Sequence, residues 1–177
     1  MQIRAKLASS GALLAAAEAI VRRSAGSGAL ILVNDRADVA RMAGAGGVHV
    51  GQEDLAPADA RTILGPDACV GLSTHTLVQI DAGLLAPVDY LAIGPVFGTV
   101  TKATGYEPIG LPAVAGAARR IQGARPLVAI GGITLDCAPG VLAAGARSVA
   151  VISDLWTGGD PRARVRQYVD RLATSGG

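Results

Sequence analysis

Asp35 and Asp54 each stand just past a short apolar run, Asn34-Asp35 behind Ala29–Val33 and Gln52-Glu53-Asp54 behind Gly47–Val50. Neighbouring strands lie about 4.7–4.9 Å apart, so carboxylates at adjoining strand ends could share one hard cation. Mg²⁺ suits such a pair, because it takes one or two carboxylates and fills its other positions with water and substrate phosphate. The plainer reading is that each aspartate caps the helix that follows. Arg4, Lys6 and Lys102 supply positive charge. Arginine grips a diphosphate through paired N–H groups, whereas lysine acts as a point charge.

A second phosphate has its own candidates. Thr99, Val100 and Thr101 precede Lys102 and offer hydroxyl and backbone N–H donors. Gly131-Gly132 would let backbone approach a phosphate closely. Ile152-Ser153 follows the last strand pattern, where a short helix start often completes a phosphate site. A tight turn and an N-cap are the simpler readings of these two segments. His75, in Ser73-Thr74-His75, reads either as a proton-transfer group or as a helix-start histidine bonded locally. His49 lies inside a strand pattern and reads as a satisfied core histidine.

These tips need elements behind them. Apolar runs too short for helices predict strands at 29–33, 47–50, 69–72, 88–93, 127–130 and 148–152, with a stub at residues 1–4. Helical patterns alternate with them, from the one opened by Ser9-Ser10 to the amphipathic segment Arg162–Leu172, whose Val165, Tyr168, Val169 and Leu172 share a face. Strict alternation implies parallel strands with right-handed crossovers. Chemistry at every tip favours a barrel over an open sheet with a single switch point. One domain of 177 residues is expected.

Composition narrows the function. Half the residues are hydrophobic and only 3% aromatic, as a buried parallel sheet wrapped by helices requires. A net charge of +2 and few aromatics argue against nucleic acid. No apolar run approaches the ~18 residues of a membrane span, and no signal peptide is evident, so a cytoplasmic protein is expected. Cys69 and Cys137 have no metal-ligand spacing and read as thiols in a reducing compartment.

Taken together, seven segments resemble the thiamine phosphate synthase family. They are Gln2-Ile3-Arg4-Ala5-Lys6, Val33–Arg36, Gly47–Leu55, Gly71–His75, Gly94–Lys102, Ala129–Ile133 and Val151–Ser153, in order from residue 1 to about residue 155. The resemblance implies an α/β fold of the TIM (β/α)8 type. It also implies a Mg²⁺-dependent transfer of a pyrimidine from its diphosphate to a thiazole phosphate, with pyrophosphate released. Asp35 and Asp54 would hold the metal. Gln2, Ile3, Arg4, Ala5, Lys6, Asn34, Ser73 and Lys102 would hold the pyrimidine diphosphate, with Arg4, Lys6 and Lys102 acting catalytically. Thr99, Val100, Thr101, Gly132, Ile152 and Ser153 would hold the thiazole phosphate. The partners implied are these two small phosphorylated molecules, and self-association is possible.

Against that pattern the chain is expected to lack the first βα unit and most of the second strand, about 30–40 residues by the scaling of a full barrel. A misassigned start is the favoured explanation, ahead of a gap closed by self-association or a decayed copy. The Gln2–Lys6 tip is then expected to be poorly held. Gly98 stands where a stiffer residue is expected. Two other functions fit less well: a thiazole tautomerase using His75, and a non-catalytic phosphate-binding protein.

Overall fold

The computed structural model describes residues 1–98 and 106–173, which fall into two compact units. Each is α/β, with parallel strands joined through helices.

The first unit comprises residues 1–73 and 85–89. Its strands β1 (Gln2–Ile3), β2 (Leu32–Asn34), β3 (Gly47–Val50) and β4 (Cys69–Thr74, whose last residue belongs to the second unit) pair in parallel in chain order. Registers run Ile3 to Val33, Asn34 to His49, and Val50 to Leu72. Helices α1 (Ser10–Ser24), α2 (Ala37–Ala43) and α3 (Pro57–Leu64) supply the crossovers. Ser9 caps α1 by accepting from the Ala12 N–H at 3.3 Å. The α2 helix ends at Gly44 in the left-handed conformation, and Pro57 opens α3 where a missing N–H costs nothing. Every residue of β3 is buried, as are Val33, Ala40, Ala60 and Val70. Burial on both faces is why these strands read as continuous apolar runs.

The chain start is held better than its sequence suggests. The terminal ammonium donates to Leu30 O at 2.6 Å, and Leu32 N–H donates to Met1 O at 2.8 Å. Arg61 ties the far end of this unit together. Its Nε donates to Pro87 O, its Nη1 to Pro66 O and Ala68 O, and its Nη2 to Asp89 Oδ2 at 2.7 Å. The same Asp89 oxygen accepts from Val70 N–H at 2.6 Å.

The second unit comprises Thr74–Leu84 and the chain from Tyr90 onward. Here β5 (Tyr90–Ile93), β6 (Leu127–Ile130) and β7 (Ser148–Ala150) pair in parallel, with Ile93 opposite Ala129 and Ile130 opposite Ala150. Helices α4 (Leu77–Leu84), α5 (Gly110–Ile121), α6 (Ala138–Ala143) and α7 (Pro161–Ala173) accompany them, with a short 3-10 helix at Ser153–Trp156. Ile80, Leu91, Ile93, Val114, Ala129 and Val141 form its core. The start of α5 is docked, because Ile109 N–H donates to Pro95 O and Gly110 N–H to Val96 O, both at 2.9 Å.

The α7 face differs from the expected one. Tyr168 is buried, but Val165 and Val169 are 45% and 62% exposed. The inward stripe runs instead through Arg164 and Tyr168, because both side chains bond Asp154. Among the described residues no helix is long and apolar enough to cross a membrane.

Candidate active site

In the first unit the carboxyl ends of β1, β2 and β3 carry the chemistry. Asp35 ends β2 in the left-handed region, at φ 64°. Aspartate tolerates that conformation better than most residues. The turn is pinned on both sides. Asp35 N–H donates to His49 O at 2.8 Å, and Arg36 N–H donates back to Asn34 O at 2.8 Å. The carboxylate then meets Lys6, with Nζ 3.0 Å from Oδ2. One residue from the β1 tip and one from the β2 tip are therefore in direct contact. Gln2 is paired in β1, Ile3 is buried beneath, and Arg4, Ala5 and Lys6 lie exposed at the tip.

Asp35 does not cap α2. Arg36 holds that position without a side-chain cap bond. Arg36 instead pairs with Asp38, its Nε donating to Oδ1 at 2.8 Å, and that bond holds the Asp38 carboxyl below its usual range. Asp54 sits past β3, and its Oδ2 accepts from Gly51 N–H at 2.8 Å. That bond shapes the turn, and a carboxylate can accept more than this one bond.

His49 is a buried, satisfied histidine, and its partner is a proposed substrate residue: Nε2 lies 2.7 Å from Ser73 Oγ. Gln52 Nε2 donates to Ser73 O at 2.6 Å. Ser73 is thus oriented from two sides. Its sequence neighbourhood gave no sign of either partner, since His49 and Gln52 belong to another strand and its loop.

In the second unit the backbone of His75 is bonded within its own helix start, and its ring is bonded farther along the chain. Its backbone N–H donates to Gln79 Oε1 at 2.7 Å. Its Nδ1 lies 2.5 Å from Gly94 O, so Nδ1 carries the proton, because a carbonyl can only accept. The ring stacks on Tyr106 with centroids 3.7 Å apart and planes 11° apart.

Gly132 has a structural duty. It sits at φ 63°, and a Cβ there would stand 2.5 Å from Gly98 O and 2.8 Å from Phe97 Cβ. The loop after β5 crosses directly over it, fastened by Val96 N–H to Ile130 O and Phe97 N–H to Gly131 O at 2.9 and 3.0 Å. Ile152 and Ser153 are exposed. Ser153 is the first residue of the short 3-10 helix rather than a capping side chain. Thr99, Val100, Thr101 and Lys102 lie outside the described residues.

Asp154 is a residue the sequence reading missed. Its carboxylate, 10% exposed, accepts from Arg164 Nε at 3.0 Å, Arg164 Nη2 at 3.1 Å, Tyr168 OH at 2.6 Å and Leu135 N–H at 3.2 Å. Burial alone would raise its pKa, but the bonds from Tyr168, Arg164 and Leu135 outweigh that and hold it below the usual range. No local motif marks it, because its partners are spread over β6's following loop and α7.

A family model described as thiamine monophosphate synthase matches residues 1–155. The chain belongs to that family. A thiamine-phosphate synthase of Anaeromyxobacter dehalogenans is 45% identical over 92% of this chain and 72% of its own length. One from Azorhizobium caulinodans is 41% identical over 99% of this chain and 82% of its own. Among solved structures, a thiamine phosphate pyrophosphorylase from Pyrococcus furiosus superposes with a TM-score of 0.90 at 30% identity, covering 99% of this chain and 83% of that one. The span matched by the thiamine monophosphate synthase family model takes in every segment from Gln2 to Ser153.

Proposed function

We infer that this chain is a thiamine-phosphate synthase, a transferase that joins 4-amino-5-hydroxymethyl-2-methylpyrimidine diphosphate to a thiazole phosphate and releases pyrophosphate. The observation that carries the reading is the 45% identity to a curated thiamine-phosphate synthase over 92% of the chain.

The bond that breaks joins the pyrimidine methylene to the diphosphate oxygen, and pyrophosphate leaves with the electron pair. The bond that forms joins that carbon to the thiazole nitrogen. The aminopyrimidine ring donates electron density to the carbon as the first bond lengthens, so the displacement is dissociative. Little acid–base help is needed; leaving-group charge must be neutralised and the nucleophile held close.

Arg4 and Lys6, exposed at the β1 tip, are assigned to diphosphate oxygens, and the resemblance assigns Lys102 the same role. Asn34, Ser73, Gln2, Ile3 and Ala5 hold the same substrate. Gly132, Ile152, Ser153 and the Thr99–Thr101 segment hold the thiazole phosphate. Asp35 and Asp54 fit Mg²⁺: both are oxygen donors at the carboxyl ends of paired strands, and a magnesium site draws its remaining ligands from water and phosphate. When bound there, Mg²⁺ would neutralise charge on the leaving diphosphate.

The same reading makes the chain a single partial (β/α)8-type barrel domain, supported by strict strand–helix alternation with parallel pairing. The experiment is direct: purified chain, both substrates and Mg²⁺, with thiamine phosphate and pyrophosphate assayed together. Formation of neither would overturn the reading. A tautomerase would behave oppositely under mutation, with His75→Ala abolishing turnover and Asp35→Ala leaving it intact.

A further inference from the structure

We propose that Asp154 is a positioning residue for the phosphate end of the thiazole substrate, fixing the two backbone tips of the second unit that are read as its cradle. The proposal rests on that reading of Gly132, Ile152 and Ser153. It adds a residue, and a means, that the reading does not contain.

Asp154 follows Ser153 directly, and its side chain reaches the other tip. Its Oδ2 accepts from the N–H of Leu135, three residues past Gly132, at 3.2 Å. Between them, Ile133 is buried. One carboxylate is therefore tied by covalent chain to the β7 tip and by a hydrogen bond to the β6 tip. From the other side α7 clamps it, through Arg164 Nε and Nη2 at 3.0 and 3.1 Å and Tyr168 OH at 2.6 Å. Thr157 Oγ1 adds a long contact to Oδ1 at 3.4 Å.

The count of donors decides the role. A carboxylate offers about four lone-pair sites. Five donor groups meet those of Asp154, namely Leu135 N–H, Tyr168 OH, Arg164 Nε and Nη2, and Thr157 Oγ1, and its side chain is 10% exposed. The negative charge is spent on protein donors, and a second anion would not choose it as a neighbour. Arg164 is committed as well, since its Nη1 donates to Gln167 Oε1 at 3.0 Å. Asp154 therefore acts through the backbone it holds.

That backbone needs holding. The 3-10 helix is four residues long, and Ile152 at its start makes no side-chain cap bond. Such short runs have poor hydrogen-bond geometry and do not sustain themselves. The carboxylate anchor supplies from outside what the local sequence does not.

The test compares wild type with Asp154→Ala and Asp154→Asn in steady-state assays varying each substrate separately. Loss of the anchor should raise KM for the thiazole phosphate about tenfold in Asp154→Ala while KM for the pyrimidine diphosphate stays within about twofold. Asp154→Asn, which can still accept from Leu135 and Tyr168, should fall between. Amide exchange at Leu135 should quicken in the order wild type, Asn, Ala. A merely structural role would move both KM values together or neither, and either result overturns the proposal. Should Asp154→Ala fail to fold, a selective rise of roughly threefold in Asp154→Asn stands in its place, and its absence counts against the proposal.

If wild type forms no thiamine phosphate, the functional reading falls, and calorimetry with thiazole phosphate judges this proposal separately. Weaker binding by Asp154→Asn or Asp154→Ala than by wild type would sustain it. Equal binding, or no binding to wild type, would end it.

Discussion

Lys6 Nζ stands 3.0 Å from Asp35 Oδ2, so a proposed diphosphate cation and a proposed metal ligand neutralise each other across the tips of β1 and β2. The contact holds the two side chains together at the tips. On the proposed reading, substrate binding would turn Lys6 to phosphate oxygens and Asp35 to Mg²⁺.

The stability at stake in that pair is small. The Lys6 side chain is half exposed, and exposed pairs contribute about 0–1 kcal/mol. Asp35→Asn also keeps a side chain that tolerates φ 64°. It should therefore melt within a few degrees of wild type while kcat/KM drops about 100-fold or more. Lys6→Met should raise KM for the pyrimidine diphosphate about tenfold. A Lys6→Met enzyme with unchanged kinetics would remove Lys6 from the site.

Asp54 holds its turn through Gly51 N–H, and a pair of substitutions separates that role from the proposed one toward Mg²⁺. Asp54→Asn retains an oxygen for Gly51 N–H, and Asp54→Ala leaves that donor without its carboxylate. Both should raise the Mg²⁺ concentration for half-maximal activity by about tenfold or more. Only the alanine variant should also lose stability, by about 1 kcal/mol in urea titration. If Mg²⁺ dependence is unchanged in both, Asp54 is a turn residue alone.

Much of this was legible because it is local. The helix α2, the strand β3 and the strand β6 fall where short apolar runs and their polar ends place them. Ser9 caps α1 and Pro57 opens α3, as their side chains dictate. What was not legible depends on partners far along the chain. The firm hold on residues 1–3 comes from Leu30 and from pairing with β2. The turn of α7 that exposes Val165 and Val169 is set by Asp154, a polar anchor that a count of apolar residues cannot weigh.

Arg61 shows the same limitation and yields a stability prediction. A helix arginine in an amphipathic segment reads as a solvated charge, yet this one donates to four groups: Pro66, Ala68, Pro87 and Asp89. Three of these acceptors are backbone carbonyls that would lose their partner. Arg61→Ala should destabilise the protein by about 2–4 kcal/mol, and Arg61→Lys should recover less than half. A urea midpoint within error of wild type would refute this.

Gly132 and Gly98 lie against each other and should respond oppositely to one methyl group. At Gly132 the φ of 63° and the 2.5 Å approach of Gly98 O leave no room for a Cβ. Gly132→Ala should cost about 2 kcal/mol or more and displace the loop after β5. At Gly98 a Cβ meets nothing within 4 Å among the described residues, and its φ is not in the left-handed region. Gly98→Ala should be neutral or stabilise by up to about 1 kcal/mol, through a less flexible unfolded chain. Equal losses at both positions would mean that the loop does not press on Gly132 more closely than on Gly98.

The Asp154 and Tyr168 pair predicts how stability responds to pH at both extremes. The Asp154 carboxyl is pushed up by burial, but the bonds from Tyr168, Arg164 and Leu135 bring it below its ordinary value of 3.8. A group depressed on folding contributes stability that is complete above the unfolded value and lost as pH falls through the folded one. The unfolding free energy should therefore decline below about pH 4, and Asp154→Asn should flatten that part of the curve. Tyr168 shifts the other way: burial, then its bond to Asp154, raises its phenol above 10.0. Its contribution is complete below the unfolded value and lost as pH climbs toward the folded one. Stability should fall above about pH 10, and Tyr168→Phe should remove that decline while lowering stability at neutral pH by about 1 kcal/mol. Urea titrations from pH 2 to 11 on the three proteins measure both limbs. Parallel curves for wild type and both variants would show that neither group titrates differently on folding.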